Sequence, residues 1–232
     1  MAQDKALQQR AARITALLKE AYPATGTEAR SSAETRGLTK TLCSLDAQGA
    51  FQLLAAARLS AQCTDARVNM VTPALFARFP TPQAMAAAPL ETVEEIIHSC
   101  GFHHTKARDL IVLSGQLCER HGGQVPSAME DLLALQGVGR KIANLIRGDV
   151  FGLPAVVADT HMIRITNLMG LANSKQPEKV ETQLRALLDP AESNDFCHRC
   201  VLHGRAVCVA RRPRCGECVV REECEYGRSG IK

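Results

Sequence analysis

The stretch LQGVGRKIANLI, Leu135 to Ile146, sets Gly137 and Gly139 two residues apart and follows them with Arg140 and Lys141 at the start of an apolar, helix-period run. Glycine accepts backbone angles that other residues resist, so the pair suits a tight turn with exposed amides. The flanking segments AMEDLLAL and KIANLIRGDVF both carry helical spacing, so the turn joins two helices. The amides of Gly137, Val138 and Gly139, at the start of the second helix, make a site for a phosphate group. Two helices around such a turn are a helix-hairpin-helix, a module that grips a nucleic-acid backbone without reading its bases. A purely structural turn between helices has the same pattern.

Lys141 adds chemistry to this arrangement. The free amides of a helix start oppose added positive charge, and partial burial does the same, so both favour a neutral, nucleophilic amine. Beside a sugar-phosphate backbone such an amine can attack C1′ and form a Schiff base. A lysine that only contacts phosphate would occupy the same position.

The rest of the chain restricts the setting. Its 232 residues suffice for two modest domains with real cores. Hydrophobic content of 46% with 3% aromatic and no tryptophan, in a chain full of Ala, Leu, Arg, Glu and Gln, predicts an all-α protein. The net charge of +4 permits a polyanionic partner without requiring one. No run of 18 apolar residues is present, which excludes a spanning helix, so no membrane partner is expected. The first residues lack a secretory apolar core, carry Asp4 and Glu20, and place Leu7, Ile14, Leu17 and Leu18 at helical spacing. They predict an amphipathic helix in an intracellular, cytoplasmic protein, associated with the nucleoid if the source is prokaryotic. Residues 25–42, rich in Ser, Thr and Gly, predict a loop. Ten cysteines in a reducing compartment point to metal ligands and buried small side chains rather than disulfides.

Two further groups carry chemistry. In VVADTHMIRI, Asp159 stands at a predicted helix start, where its simplest role is an N-cap. A carboxylate facing Lys141 could also stabilise charge developing on a sugar as a base departs. In CVARRPRCGECVVREEC, Cys208, Cys215, Cys218 and Cys224 have gaps of six, two and five residues. That set suits a tetrahedral zinc or a cubane iron-sulfur cluster, and spacing does not choose between them. Cys197 and Cys200 offer a rival pairing with Cys215 and Cys218, but SNDFCHRCVLHGR is continuously helix-like and places Phe196, Cys200 and Leu202 toward a core. Arg211, Arg212 and Arg214 fall inside the first gap, where a metal-pinned loop would present them to phosphate.

Together SAQCTD (Ser60–Asp65), LQGVGRKIAN, VADTH (Val157–His161), LHGRAVC (Leu202–Cys208) and the cysteine quartet make the chain resemble the endonuclease III family of DNA glycosylases, over roughly residues 45–227. The resemblance implies an all-α, two-domain helix-hairpin-helix glycosylase fold. Residues 43–154 would form a six-helix barrel, and residues 1–42 with 155–232 a domain carrying a [4Fe-4S] cluster on the four cysteines. Duplex DNA with damaged pyrimidines or abasic sites would lie between the domains of a monomer. Lys141 would be the nucleophile and Asp159 the catalytic carboxylate, with β-elimination nicking the strand after a flipped base is displaced. Gln62 matches the residue that fills the gap left by the flipped nucleotide, and Phe102 stands where the family has a leucine wedge. Ser60 and His161 fall near the base pocket. Gln136 replaces the usual hairpin proline, which predicts a looser turn, and Asn167 and Met169 depart from a more basic pattern. The same residues leave open a paralogue acting mainly as an abasic-site lyase, and a catalytically weak DNA-binding or redox-sensing protein.

Overall fold

The computed structural model describes residues 2–23 and 49–229. The predicted 25–42 loop lies outside these residues. The described helices are α1 (Ala2–Ala21), α2 (Ala50–Leu59), α3 (Asp65–Arg78), α4 (Pro82–Ala86), α5 (Leu90–Ile97), α6 (His103–His121), α7 (Met129–Leu133), α8 (Arg140–Asp149), α9 (Thr160–Met169), α10 (Pro177–Leu187), α11 (Ser193–Ala206) and α12 (Glu225–Arg228). Short 3₁₀ turns punctuate them, and no strand occurs among the described residues. The fold is all-α, as composition predicts. It divides into two compact units, one from α1 together with everything after Gly152, the other ending at Phe151.

In the unit of residues 49–151, α2 is the central element. Phe51, Leu53, Leu54, Ala55, Ala56, Ala57 and Leu59 are all buried, so this Ala-rich helix has almost no solvent face and packs against α3, α6 and α8. Val68 and Leu75 of α3, Ile97 of α5, Leu110 and Leu113 of α6, and Ile146 of α8 complete the core. Helix boundaries follow local chemistry. Thr64 caps α3 by accepting from the Arg67 amide, and α6 stops at Gly122, whose φ of 58° is left-handed. The short α4, capped by Thr81 with Pro82 in its first turn, is absent from the sequence reading although both signals are present.

In the other unit, α1 buries Ala11, Ile14 and Leu18 completely, while the predicted core residues Leu7 and Leu17 are only half-buried. Helix α1 packs on α10 and α11 and is tied to the C-terminal segment by Arg10. The Arg10 guanidinium donates to the carbonyls of Met169 (2.9 Å), Gly170 (2.7 Å) and Glu223 (3.2 Å) and pairs with Glu225 at 3.0 Å. Helix α11 buries Phe196, Cys197 and Cys200 without exposure, so those two thiols are packing residues, as their helical register predicts. Leu202 is a correction. It is 38% exposed, because a residue two positions after Cys200 points away from the face that Phe196 and Cys200 share.

Candidate active site and cysteine pocket

Helices α7 and α8 pack together around the glycine turn. Gly137 has φ 74°, and a Cβ there would sit 2.5 Å from Arg58 Nε and 2.9 Å from Asp109 Oδ2. Only glycine satisfies both the angle and the contact. Arg58 and Asp109 form a buried ion pair, Nε to Oδ2 at 2.8 Å, beneath the turn. Gln136 completes the support. Its amide donates to Gln116 Oε1 at 2.7 Å, and its side chain donates to Asp109 Oδ1 at 2.9 Å. A proline could make neither bond, so the looser turn predicted for Gln136 is offset by two contacts that sequence reading did not foresee.

Gly139 is the N-cap of α8, no side chain caps it, and the space where its Cβ would stand is open. Glycine thus brings no side chain to cap the first turn of α8. Val138 is buried and holds the turn down, while Lys141, the second residue of α8, is exposed. Its exposure corrects the expectation of partial burial: the protein alone leaves this amine in solvent, because α8 buries the opposite face through Ala143, Asn144 and Ile146.

Among the described residues, three non-glycine positions have positive φ: Gln62 (53°), Phe102 (49°) and Arg211 (71°). All three are residues that the sequence nominates for DNA contact. Left-handed backbone costs roughly 1–2 kcal/mol per such residue, so it persists where surrounding structure and function demand it. Phe102 follows Gly101, itself at φ 63°, caps α6 and is 67% exposed. Ser60 ends α2, and its hydroxyl donates to the Ala57 carbonyl at 2.9 Å, the role of a helix-end polar group.

In the other unit Asp159 is the N-cap of α9, with Oδ1 accepting from the Met162 amide at 2.7 Å. Oδ2 takes no part in the cap. His161, one turn-step further on, is half-buried, and its Nδ1 is a buried atom without a hydrogen-bond partner. Asn167 donates to the carbonyls of Ile163 (2.6 Å) and Ser174 (2.8 Å), and Met169 is buried, so both departures from a basic pattern serve packing.

Cys208, Cys215, Cys218 and Cys224 line one cavity with Ile165, Leu168 and His203, enclosing about 350 Å³ of empty space partly open to solvent. Arg164 Nη1 donates to Cys208 Sγ at 3.6 Å, and the Gly227 amide donates to Cys224 Sγ at 3.4 Å. His203 Nε2 lies 3.5 Å from Cys218 Sγ, and its Nδ1 lies 3.1 Å from the Tyr22 hydroxyl. Burial, with Arg164 adding to it, lowers the His203 pKa to about 4. A neutral ring that accepts from Tyr22 carries its proton toward Cys218. Burial also raises Cys218 to about 11 and pushes Cys208 up. Such thiols shed their protons only to a strongly cationic partner, and among the described residues no three donors converge as a single-ion site. Four cysteine thiols on one cavity fit an iron-sulfur cluster, which is held by cysteine sulfur. Arg211, Arg212 and Arg214 are exposed on the segment between Cys208 and Cys215.

Sequence reading missed the supports: Arg58, Asp109 and Gln116 under the turn, and Arg164, His203 and Tyr22 around the thiols. LHGRAVC contains His203, but nothing in its pattern assigns that ring to a sulfur. Among the described residues no helix is long and apolar enough to cross a membrane.

Comparison with known proteins agrees with this geometry. Residues 55–190 match the HhH-GPD superfamily of base excision DNA repair proteins, and residues 208–224 match the iron-sulfur binding domain of endonuclease III. The chain is 42% identical over 217 residues to endonuclease III of Synechocystis sp., covering 93% of this chain and 92% of that one. It is 42% identical over 177 residues to endonuclease III of Escherichia coli K12, covering 76% and 83%. A solved endonuclease III trapped as a covalent intermediate with DNA superposes with a TM-score of 0.83 at 32% identity, covering 97% of this chain and 99% of that one. With its glycine turn, its four-cysteine cavity and identity sustained across nearly the whole chain, this protein belongs to the endonuclease III family of the HhH-GPD superfamily.

Proposed function

We propose that this protein is a bifunctional DNA glycosylase and abasic-site lyase that excises oxidised pyrimidines from duplex DNA as a monomer, with Lys141 as nucleophile and Asp159 as catalytic carboxylate. The observation that carries this reading is the exposed Lys141 on the first turn of α8, directly behind a glycine turn that no N-cap side chain closes. Its likeness to an endonuclease III trapped covalently on DNA supports an amine nucleophile.

The Gly137–Gly139 turn receives one phosphate, and the exposed, strained Gln62 and Phe102 turns enter the base stack where the damaged nucleotide has left it. The Lys141 amine attacks C1′ as the bond to the base breaks, and the base leaves with the electron pair and, through solvent, the proton that the amine gives up. Asp159, through the oxygen not used by its cap, stabilises positive charge on the sugar. The C1′–O4′ bond then breaks as nitrogen forms the C1′=N Schiff base and O4′ takes a proton, and loss of the C2′ proton expels the 3′ phosphate and nicks the strand. Ser60 and His161 border the base pocket in this reading, and Arg211, Arg212 and Arg214 contact backbone phosphate.

Cys208, Cys215, Cys218 and Cys224 would hold a [4Fe-4S] cluster, which supplies a rigid pin for the arginine-bearing segment. Base release and strand nicking on a thymine glycol duplex test the assignment separately. Lys141→Ala abolishes both, and Asp159→Asn slows base release on the order of a hundredfold. An Asp159→Asn protein with unchanged release would reduce Asp159 to a cap.

A further inference from the structure

Two thiols outside the cysteine cavity have no part in this reaction. Cys63 is half-buried, Cys100 is 2% exposed, and their side chains are hydrogen-bonded to each other. Cys63 directly follows Gln62, and Cys100 stands two residues before Phe102, so the contact joins the two turns that carry left-handed, non-glycine residues in this unit. The buried Lys106 side chain lies against both. Its Nζ donates to the Cys100 carbonyl at 2.8 Å, and its ammonium stands beside the Cys100 backbone. Burial holds the Cys100 thiol protonated, with a pKa of about 11, so the more accessible Cys63 meets an oxidant first. Cys197 and Cys200 also lie close together, but both are fully buried within one helix and closed to reagents.

We propose that Cys63 and Cys100 form a reversible intramolecular disulfide that ties the Gln62 turn to the Phe102 turn and stops both from entering the duplex. The oxidant is a soluble disulfide. The Cys63 thiolate attacks one of its sulfurs, the reagent's S–S bond breaks, and one small thiol departs after taking a proton from solvent. Cys100 then loses its proton and attacks Cys63 Sγ, forming the internal S–S bond and expelling the second half of the reagent as a thiol. Two protein thiols are oxidised, and one reagent disulfide is reduced to two thiols. The consequence for activity rests on the proposed role of Gln62 and Phe102. The covalent bond does not.

The test treats the cluster-loaded protein with oxidised glutathione, blocks remaining thiols by alkylation, and follows two readouts: peptides by mass spectrometry, and nicking of a thymine glycol duplex. The expected result is a peptide linking Cys63 to Cys100, with nicking reduced on the order of tenfold, since small displacements of positioning groups cost that much or more. Dithiothreitol reverses both, the visible absorbance of the cluster is unchanged, and Cys63→Ala keeps its nicking rate through the same treatment. A stable mixed disulfide on Cys63 without linkage to Cys100 would overturn the proposal. So would linkage without loss of nicking, or equal loss in Cys63→Ala. If the reduced protein fails to nick at all, the functional reading fails while the linked peptide still reports the disulfide.

Discussion

At the residue scale, the two groups proposed for catalysis are legible because each announces itself locally: Lys141 by its place after the glycine turn, Asp159 by its place before a helix. Their supports are not. Arg58 and Asp109 stand 51 residues apart, and only tertiary folding puts their ion pair beneath Gly137. Phe102 is legible as an oddity but not as a strained one, since nothing in GFHHTKA dictates φ 49° for a phenylalanine. Its exposure means that it contributes little to the core. Phe102→Gly should therefore raise stability by about 1 kcal/mol, through relief of left-handed strain, while lowering lesion excision. Denaturant melts and single-turnover excision check the two halves, and unchanged excision would remove Phe102 from the DNA-entering role.

At the element scale, helix starts differ in whether a side chain caps them. Helix α3 is closed by Thr64 and α9 by Asp159, whereas the N-cap of α8 is a glycine that offers no capping side chain. A side-chain cap there would add stability, and it would also stand where an anion could meet the start of the helix. Gly139→Asp fills open space with a carboxylate that can cap α8. It should leave the melting temperature unchanged or slightly raised while weakening duplex binding on the order of tenfold or more, by occupying the amides and repelling phosphate. Fluorescence anisotropy measures the loss, and undiminished binding would return the turn to a purely structural role. Periodicity identified most long helices, and it failed at α4, whose five residues are too few to show a period.

At the scale of the whole molecule, the unit built from α1 and the C-terminal segments depends on contacts that no local pattern encodes. Arg10 reaches three carbonyls and Glu225, and Glu192 takes hydrogen bonds from Lys19 at 2.9 Å and Arg199 at 3.0 Å. The Lys19 hydrogen bond, with Arg199 adding to it, lowers the Glu192 pKa below 4.5. A carboxylate with a depressed folded pKa contributes stability that is present above its unfolded value and lost as pH falls through the folded one. Thermal melts taken downward from neutral pH should therefore decline less steeply in Glu192→Gln than in the unmodified protein below about pH 4.5. Parallel curves would remove Glu192 from the pH response.

The cysteine cavity belongs to the same scale. Its four candidate ligands were legible from spacing, but spacing suits zinc and cluster alike, and it is the match of residues 208–224 to the iron-sulfur binding domain of endonuclease III that favours the cluster. Cys215→Ser should lose the visible chromophore and lower the melting temperature. A colourless, zinc-containing parent protein would contradict the cluster.

The central claim is that Lys141 becomes covalently bound to the sugar of a damaged nucleotide, and borohydride trapping on a thymine glycol duplex tests it most directly. The account predicts a trapped protein–DNA complex, a DNA adduct that peptide mapping places on Lys141, and no complex with Lys141→Ala. Trapping that persists in Lys141→Ala, or an adduct mapped to another amine, would contradict it.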